Sequence, residues 1–480
     1  MKNLFIRKPM HEKTAESSTR LQGSLGSFQL MAIGLGAIIG AGIFVITGQA
    51  AALYAGPAIV LSFIFSAIVC TFTALCYAEL SAMIPSSGGS YTYAYVAMGE
   101  FPAWIVGWAL TAQCLVSAAT ISVGWGGYFV NFIRELGLPW PHLFAGAPIV
   151  YSPDGGWTLS GSVLNIPAML IVATVGVAVS IGIRAATLFN NIMVVIKLST
   201  IALFLLLGFR YINIDNWVPF IPENTGIFGE FGWSGILRAS GLVFFAYLGF
   251  DVVSTLAQDA KNPQKTLPLG ILGSLGVSTL AYIATSLVLT GVVIYTALNV
   301  ADPFSVALDA MGSQFGWIKW IVKLAILAGL SSAILVQVLG QTRIFYAISQ
   351  DGLLPASLSS INKKTQTPLV SSILTASISL IIAGLFPISI LAELVSMTSL
   401  FLFAVVCLGV LILRYSHPEY ERKFKVPLVP WIPAIAILGC VGQMSFLPAT
   451  SWLQLIGWLT MGLLVYFSYG IHRSKLRHSK

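Results

Sequence analysis

Four glycines lie close together in an apolar run near the start of the chain. The stretch 34–44 reads GLGAIIGAGIF and lies within the apolar residues 28–54, a run long enough to cross a bilayer. Glycine costs a helix interior roughly 1 kcal/mol relative to alanine, so this density favours a break in the helix. Backbone groups freed inside a membrane are tolerated only where they line a cavity or bind something. The stretch is therefore a candidate binding site made of backbone.

The same glycines also have a purely structural interpretation. Gly36 and Gly40 form a GxxxG pair, a spacing that lets two membrane helices approach closely. The residues alone leave binding and packing equally open. A dinucleotide-binding loop is excluded, because the spacing is not G-x-G-x-x-G and the glycines lie in a membrane span.

One lysine lies deep inside another apolar run. Lys197 is about eleven residues from the nearer end of its span, or roughly 16 Å along a helix, which is too deep for its ammonium to reach water readily. Ionisable residues inside a membrane face the bundle interior and usually serve a function. Burial disfavours the charged form of an amine and so favours proton exchange. Two roles are open: a proton carrier whose ammonium touches the broken helix, or a fixed cation that braces helices 1, 5 and 8.

The composition requires a membrane protein. Of the 480 residues, 57% are hydrophobic and 9% are charged, whereas soluble domains carry about 25% charged residues. The apolar runs are long and continuous, which predicts an all-α polytopic fold and not an outer-membrane barrel. Twelve spans are predicted near residues 28–53, 57–84, 101–133, 164–183, 187–209, 232–258, 268–297, 316–348, 367–386, 388–414, 430–449 and 451–472.

The basic residues are distributed asymmetrically between the connecting segments. If the N-terminus is cytoplasmic, 19 of the 25 lysines and arginines fall on the cytoplasmic side. The positive-inside rule therefore places both termini in the cytoplasm and explains the net charge of +8 without any nucleic acid. The polar and basic residues 1–27 are not a cleavable signal peptide. The expected location is the cell (plasma or inner) membrane.

Span 6 contains a second apolar run interrupted by glycine. Residues 241–255 read GLVFFAYLGFDVVST, five spans after the first such run. Interrupted helices at equivalent places in two five-helix halves predict an inverted-repeat transporter with its site at the midplane. The chain then divides into a cytoplasmic tail (1–27), a first repeat (28–212), a second repeat (213–414), spans 11 and 12 with their preceding cytoplasmic loop (415–472), and a basic cytoplasmic tail (473–480).

Six stretches, in this order, resemble the amino acid–polyamine–organocation superfamily, and within it the cationic amino acid transporter-like permeases. They are GLGAIIGAGIF (34–44), YAELSAMIPSSGGSYTYAYVAMGEFPAWIVGW (77–108), NNIMVVIKLSTI (190–201), FFAYLGFDVVST (244–255), GQTRIFYAISQDGLLP (340–355) and LAELVSMTSLF (391–401). The resemblance implies a LeuT-type five-plus-five inverted repeat with discontinuous helices 1 and 6, plus two extra C-terminal helices. It also implies secondary transport of amino acids.

The resemblance also implies which residues bind the substrate. A helix N-terminus carries partial positive charge and suits the carboxylate of an α-amino acid. By match to the family motif, the residues around this carboxylate are Ile38, Gly40, Ala41 and Gly42. The carbonyls that would bind the ammonium are those of Phe245, Ala246 and Leu248. In the resembled family, the lysine at position 197 replaces a sodium ion of related transporters and couples the substrate to protons.

Two glutamines depart from the family pattern. Gln113 stands where the family commonly has glutamate, and this neutral amide weakens the case for cationic substrates. Gln337 stands where the family is commonly apolar. In a pocket, this amide would add a donor and an acceptor for a polar side chain of the substrate. Facing a neighbouring helix, it would form an interhelical hydrogen bond that contributes about 0.6 kcal/mol.

The leading hypothesis is a proton-coupled symporter of neutral amino acids that works by alternating access. The alternatives are an amino acid exchanger, a transporter of cationic amino acids and, more distantly, a channel, although no selectivity-filter repeats or charged rings occur. No nucleophile–base or metal-ligand constellation is present, so we expect no enzyme activity, no cofactor and no metal. The expected partners are an amino acid, protons and membrane lipid. The sequence does not specify a small single-helix membrane partner.

Overall fold

The computed structural model describes residues 2–9, 25–86, 88–152, 156–181, 183–256, 260–362, 365 and 367–478. Most of the expected N-terminal tail, residues 1 and 10–24, and the last two residues of the expected C-terminal tail lie outside the described residues. The described chain is predominantly helical. It also contains an antiparallel hairpin of β1 (Ile149–Ser152) and β2 (Gly156–Leu159), which the all-α prediction did not include.

The α-helices follow the apolar runs of the sequence. In chain order they are α1 (Ser27–Ile38), α2 (Thr47–Ala50), α3 (Ile59–Met83), α4 (Gly89–Met98), α5 (Glu100–Glu135), α6 (Ile166–Ile181), α7 (Ile183–Gly208), α8 (Gly232–Val243), α9 (Phe250–Thr255), α10 (Pro263–Val292), α11 (Pro303–Met311), α12 (Gly316–Gln350), α13 (Leu369–Leu385), α14 (Ile388–Ser416), α15 (Trp431–Phe446), α16 (Ala449–Val465), α17 (Ile471–Arg473) and α18 (Lys475–His478). Short π-helical turns, Gly42–Ile46 and Ala51–Ala55, flank α2 and make it part of one continuous helical segment.

Helix length and composition make the chain a multi-pass membrane protein. Among the described residues, eight helical stretches are long and apolar enough to cross a membrane. Four further apolar helices, α1, α6, α13 and α15, are shorter, with 12, 16, 17 and 16 residues. The helices lie where the apolar spans were expected, with ends that differ by a few residues.

The start of span 7 was placed too late in the sequence-based prediction. The span was expected from residue 268, but α10 begins at Pro263 and includes Pro268. Pro263 is in the first turn, where a proline costs no hydrogen bond because this N–H has no helical acceptor. The first turn also contains Gln264 and Lys265. These polar residues lie outside the apolar window, so hydropathy alone does not detect this end of the helix.

The two longest helices form the centre of the molecule. Helices α5 and α12, with 36 and 35 residues, pack along each other. A β-carbon placed on Gly340 of α12 would lie 3.9 Å from the Cys114 sulfur of α5, and one on Gly107 of α5 would lie 2.8 Å from Ile348 of α12. At these two positions a glycine on one helix makes room for a side chain of the other.

Both ends of the chain dock on the same side of the protein. The Lys8 ammonium lies 2.6 Å from the Asp351 carboxylate, just after α12. The Arg477 guanidinium donates to Glu100, at the start of α5, over 2.7 Å. Glu100 is fully buried and accepts from two tyrosine hydroxyls as well. We call the side marked by Asp351 and Glu100 the tail face, and the opposite side, where α11 lies, the loop face.

A buried carboxylate anchors the segment between α14 and α15. Glu79 of α3 is 2% exposed and accepts two hydrogen bonds from Arg414, of 2.9 and 2.6 Å. Its second oxygen also accepts the N–H of Val426 over 2.7 Å. The Arg422 guanidinium lies 3.3 Å from the same carboxylate and donates to four backbone carbonyls of the segment. One carboxylate therefore fixes both the end of α14 and the loop that follows it.

We expect Glu79→Ala to lower the thermal stability of the protein strongly. Removing one partner of a buried ion pair costs about 3–5 kcal/mol, because the other charge is left uncompensated. The matched control is Glu419→Ala in the same loop, whose exposed carboxylate contacts only His417 among the described ion pairs. The melting temperatures of both variants in detergent are measured by monitoring thermal unfolding with size-exclusion chromatography. Equal melting temperatures for the two variants would contradict the anchoring role of Glu79.

Candidate functional site

The first break separates α1 from the helical segment that follows it. Helix α1 ends at Ile38, Ile39 is extended, and helical structure resumes at the π turn that begins at Gly42. The last carbonyls of a helix receive no hydrogen bond from the backbone of that helix. Two of them are satisfied by side chains from other helices: Lys197 donates to the Gly36 carbonyl over 2.9 Å, and the Tyr282 hydroxyl lies 3.0 Å from the Ile38 carbonyl.

The second break separates α8 from α9. A single 3₁₀ turn, Phe244–Tyr247, follows α8, and the chain then extends at Leu248. Gly249 has φ +126°, a conformation that L side chains rarely adopt. A β-carbon at Gly249 would also lie only 2.6 Å from the Ala37 carbonyl carbon. Glycine is therefore required here both by the backbone conformation and by the close approach of α1.

The two breaks are in direct contact. A β-carbon on Gly42 would overlap Ala246 of the second break. The Tyr282 hydroxyl of α10 lies 2.7 Å from the Ala246 carbonyl and 3.0 Å from the Ile38 carbonyl. A phenol has one proton, so Tyr282 donates to one of these carbonyls at a time. Tyr282 thus links the ends of the two interrupted helices.

A small cavity lies between the breaks. Its wall is formed by Ala37, Ile38, Gly40, Ala41, Gly42, Ile121, Phe245, Leu248 and Gln337. The cavity has room for about one water molecule. In this conformation, the two breaks are closed on each other.

Seven of the ten residues singled out from the sequence line this cavity: Ile38, Gly40, Ala41, Gly42, Phe245, Leu248 and Gln337. Ala246 is not part of the wall, because it packs on Gly42 and its carbonyl accepts from Tyr282. The remaining two, Gln113 and Lys197, also lie outside the wall.

Gln113 lies outside the cavity wall and contacts the helix that follows the second break. Its amide nitrogen donates to Asp251 over 3.3 Å. The other oxygen of this carboxylate accepts the N–H of Gly249 over 3.1 Å. Both Gln113 and Asp251 are buried. Gln113 therefore positions the carboxylate that holds the turn at Gly249, and contributes nothing to the cavity wall itself.

Lys197 is buried beside the first break. The side chain is 1% exposed, and its methylene groups pack on Gly329 of α12, where a β-carbon would lie 2.9 Å from Lys197 Cγ. Within the described part of the chain, no carboxylate lies within 4.0 Å of its ammonium. The partner that the structure gives this ammonium is the Gly36 carbonyl. Ser331 and Ser332 of α12 donate to carbonyls of their own helix.

Buried charges also occur at the loop face. Lys323 of α12 is 1% exposed and lies 3.0 Å from Asp302 and 2.8 Å from Glu135. Asp302 immediately precedes α11, in which Phe304 packs against Phe44 with ring centroids 5.3 Å apart. Phe44 belongs to the helical turn that follows the first break. These ion pairs therefore hold α11 against that half of the interrupted helix.

The family of the chain follows from comparison with known proteins. The model of the amino acid permease family matches residues 25–466, which include both breaks and the cavity. The chain belongs to the amino acid permease family. This confirms the resemblance to the amino acid–polyamine–organocation superfamily. Permeases are transporters and not enzymes, as the sequence led us to expect.

Several permeases and transporters align with nearly the whole chain. The methylthioribose transporter of Bacillus subtilis (strain 168) is 39% identical, with 99% of this chain and 100% of that protein covered. The branched-chain amino acid permease BcaP of the same organism is 38% identical, with 99% of each chain covered. The cationic amino acid transporter 1 of Arabidopsis thaliana is 31% identical, with 96% of this chain and 85% of that protein covered.

Sequence reasoning missed three residues of this permease site. Tyr282 links the two breaks, and Ala37 and Ile121 complete the cavity wall. A phenol in the middle of the apolar α10 was the one available signal, since a buried tyrosine hydroxyl needs a partner. Ala37 and Ile121 carry no such signal, because they are ordinary residues of apolar helices.

We expect Gly249→Ala to reduce substrate uptake about tenfold or more, since the unfavourable φ alone costs about 1–3 kcal/mol and each 1.36 kcal/mol is a factor of ten. The added methyl group would also press on the backbone of Ala37 and Ile38. The matched control is Gly276→Ala in α10, where no atom lies within 4 Å of the new β-carbon. Initial uptake rates in proteoliposomes compare the two variants. Uptake by Gly249→Ala equal to that of the control would contradict the required close approach.

Proposed function

We propose that this permease takes up neutral amino acids together with protons, by alternating access. The observation that carries the proposal is the cavity between the two breaks, whose wall combines the start of one half-helix with the unwound backbone of another. An α-amino acid presents a carboxylate and an ammonium close together, and these two kinds of backbone end suit its two charges.

The two charges of the substrate have separate places in this proposal. The N–H groups of Gly40, Ala41 and Gly42 lie at the first turn of a helical segment, where N–H groups have no acceptor within the helix. They would bind the carboxylate. The carbonyls of Phe245, Ala246 and Leu248 belong to the unwound part of the second break and would bind the ammonium. Binding there would take the Ala246 carbonyl away from Tyr282.

The side chains of the wall favour a neutral substrate. Ile121, Phe245 and Leu248 offer apolar surface, and Gln337 offers an uncharged amide. No residue of the cavity wall carries an ionised side chain. A charged substrate side chain would therefore be buried without a counter-charge, which is costly in a dry site. For this reason we favour neutral over cationic amino acids.

Lys197 is the proposed proton carrier. An ammonium buried without a counter-ion loses little when it releases its proton, since no ion pair is broken. Its partner, the Gly36 carbonyl, is freed by the same break that forms the cavity wall. A movement of α1 that opens the cavity would change this contact, so protonation and opening would be linked. An obligate exchanger remains the alternative within the same class.

We further propose twelve crossings arranged as two inverted five-helix repeats plus two helices. The eight long apolar stretches and the four shorter apolar helices support this arrangement when Gly42–Met83 is divided at the turn Gly56–Ala58. Its first part completes the span that α1 begins, and its second part, α3, is the next span. Both termini dock on the tail face, which agrees with a common side for both ends. The excess of basic residues supports a cytoplasmic tail face in the cell membrane.

Alternating access follows from the size of the cavity. An amino acid requires far more room than one water, so the two breaks must separate before a substrate can enter. At the loop face, separation would break the contacts of Lys323 with Asp302 and Glu135. At the tail face, it would break the contact of Lys8 with Asp351. The proposed cycle opens these two faces in turn.

A second candidate substrate is methylthioribose. The methylthioribose transporter of Bacillus subtilis is 39% identical over 99% of this chain, about as similar as the branched-chain amino acid permease. A thio-sugar has hydroxyl groups and no carboxylate or ammonium. Gln337 in the cavity wall could hydrogen-bond a hydroxyl, whereas the backbone charges of the two breaks would be unused.

One competition experiment separates these substrates. Uptake of labelled leucine into proteoliposomes is measured with each of the twenty amino acids or methylthioribose as competitor, with and without an inward proton gradient. We expect neutral aliphatic amino acids to compete, charged amino acids to compete poorly, and the gradient to accelerate uptake. Competition by methylthioribose but not by amino acids would support the second candidate. Uptake only into vesicles preloaded with an amino acid would identify an exchanger.

We expect Lys197→Ala to abolish the acceleration of uptake by a proton gradient while leaving measurable substrate binding, because the cavity wall is intact. The control is Lys265→Ala in α10, which removes an exposed lysine. Uptake with and without the gradient, together with the melting temperature in the presence of substrate, distinguishes coupling from binding. Gradient-driven uptake by Lys197→Ala at the normal rate would refute the proton-carrier role. It would leave Lys197 as a cation that braces α1, α7 and α12.

A further inference from the structure

Several buried polar side chains between the cavity and the tail face have no hydrogen-bond partner in the protein. The most unusual is Gln341 of α12, which is 0% exposed and leaves both its amide nitrogen and its amide oxygen unpaired. On the facing helix α5, the Gln113 amide oxygen and the Ser117 hydroxyl are also unpaired. A buried polar group without a partner is destabilising, so such groups require an explanation.

These residues form stripes that descend from the cavity. Gln337 lines the cavity, and Gln341 lies one helical turn further along α12, toward Asp351 at the tail face. Ile121 also lines the cavity, and Ser117 and Gln113 follow at one and two turns along α5, toward the tail face. Residues four apart lie on the same side of a helix. The two stripes belong to helices that pack along each other.

A third helix repeats the pattern beside the first break. Asn190 of α7 lies seven residues, or two turns, from Lys197. It lies on the tail-face side of Lys197, because the opposite end of α7 meets α11 at the loop face. The Asn190 amide packs on Gly36, and its oxygen is unpaired and buried. Gly36 is also the residue whose carbonyl holds Lys197.

The other unpaired atoms of the described chain differ from this set. Half of these atoms are hydroxyls, among them those of Ser278, Thr285 and Thr375, and a serine or threonine hydroxyl can turn to a carbonyl of its own helix. An amide side chain has no such local solution for both of its ends. Unpaired amide oxygens also occur elsewhere, on Gln443 of α15 and Gln454 of α16. Among the described residues, however, Gln341 alone leaves both ends of its amide unpaired, and Gln113 and Asn190 lie with it on the tail-face side of the cavity.

We infer that Gln113, Ser117, Asn190 and Gln341 line the route between the cavity and the tail face, and that water pairs their free polar atoms when this route opens. The inference rests on the proposed transport function and assigns residues to one half of its cycle. In the closed form, these atoms have no hydrogen-bond partner within the protein. Opening at the tail face hydrates these groups, so that a zwitterionic substrate moves along polar walls.

Thiol labelling tests the route directly. The five native cysteines are replaced, and Ser117→Cys and Gln341→Cys are introduced one at a time. The matched control is Ser379→Cys in α13, whose native hydroxyl is fully buried but donates to the Leu115 carbonyl at the same level of α5. We expect a membrane-impermeant methanethiosulfonate to modify the two route cysteines about tenfold faster than the control when it is applied from the tail face, because the opened route admits water.

Two results would overturn the route: modification rates equal to that of Ser379→Cys, or modification from the loop face alone.

A second variant, Gln341→Leu, replaces the unpaired amide with an apolar side chain of similar length. We expect it to melt at the same or a higher temperature, and to slow tail-face labelling of Ser117→Cys in the double variant. A lower melting temperature with unchanged labelling would make Gln341 structural and overturn its place in the route. The labelling needs no substrate, so its result stands apart from any failure of the proposed substrate or of proton coupling.

Discussion

The structure depends on one constraint: backbone polar groups inside an apolar bundle must have partners. Two helices stop at the same depth, and each interruption frees carbonyls and N–H groups that water cannot reach. An unpaired group of this kind costs about 1–3 kcal/mol. The protein meets the cost with three side chains that bond to backbone at a break: Lys197 and Tyr282 come from other helices, and Asp251 comes from the helix that follows the second break. The residues that hold the site together are therefore also the residues that a substrate would disturb.

The cost of burying polar groups without partners also explains why so few charges occur in the interior and why each one has a specific place. Glu79 and Glu100 bind loops and termini, and Lys323 binds the segment over the loop face. These three have ionic partners, so they are stable where they are. Lys197 differs because its ammonium donates to a neutral carbonyl. A charge balanced by a carbonyl alone can be removed without leaving an opposite charge behind, which is the property that a proton carrier needs.

Sequence reasoning could find the breaks but not what holds them. Clustered glycines and an interrupted apolar run are local signals, so Gly40, Gly42 and the stretch around Gly249 could be identified from the chain alone. Tyr282 could not be assigned a role, because its two acceptors come from breaks that lie far apart in sequence. The contact of Gln113 with Asp251 could not be predicted for a related reason. Whether Gln113 faces the cavity or Asp251 depends on the rotation of α5, which is set by packing against several other helices and not by the composition of α5.

The two faces of the molecule differ in the polar groups that lie between them and the cavity. At the loop face, buried ion pairs of Lys323 hold α11 down, so opening must expose charges that already have partners. On the tail-face side of the cavity, the polar groups of Gln113 and Gln341 are unpaired, so opening there supplies partners that the closed form lacks. Opening at the tail face would separate Lys8 from Asp351 but would also supply partners to these polar groups. Opening at the loop face would only separate charges.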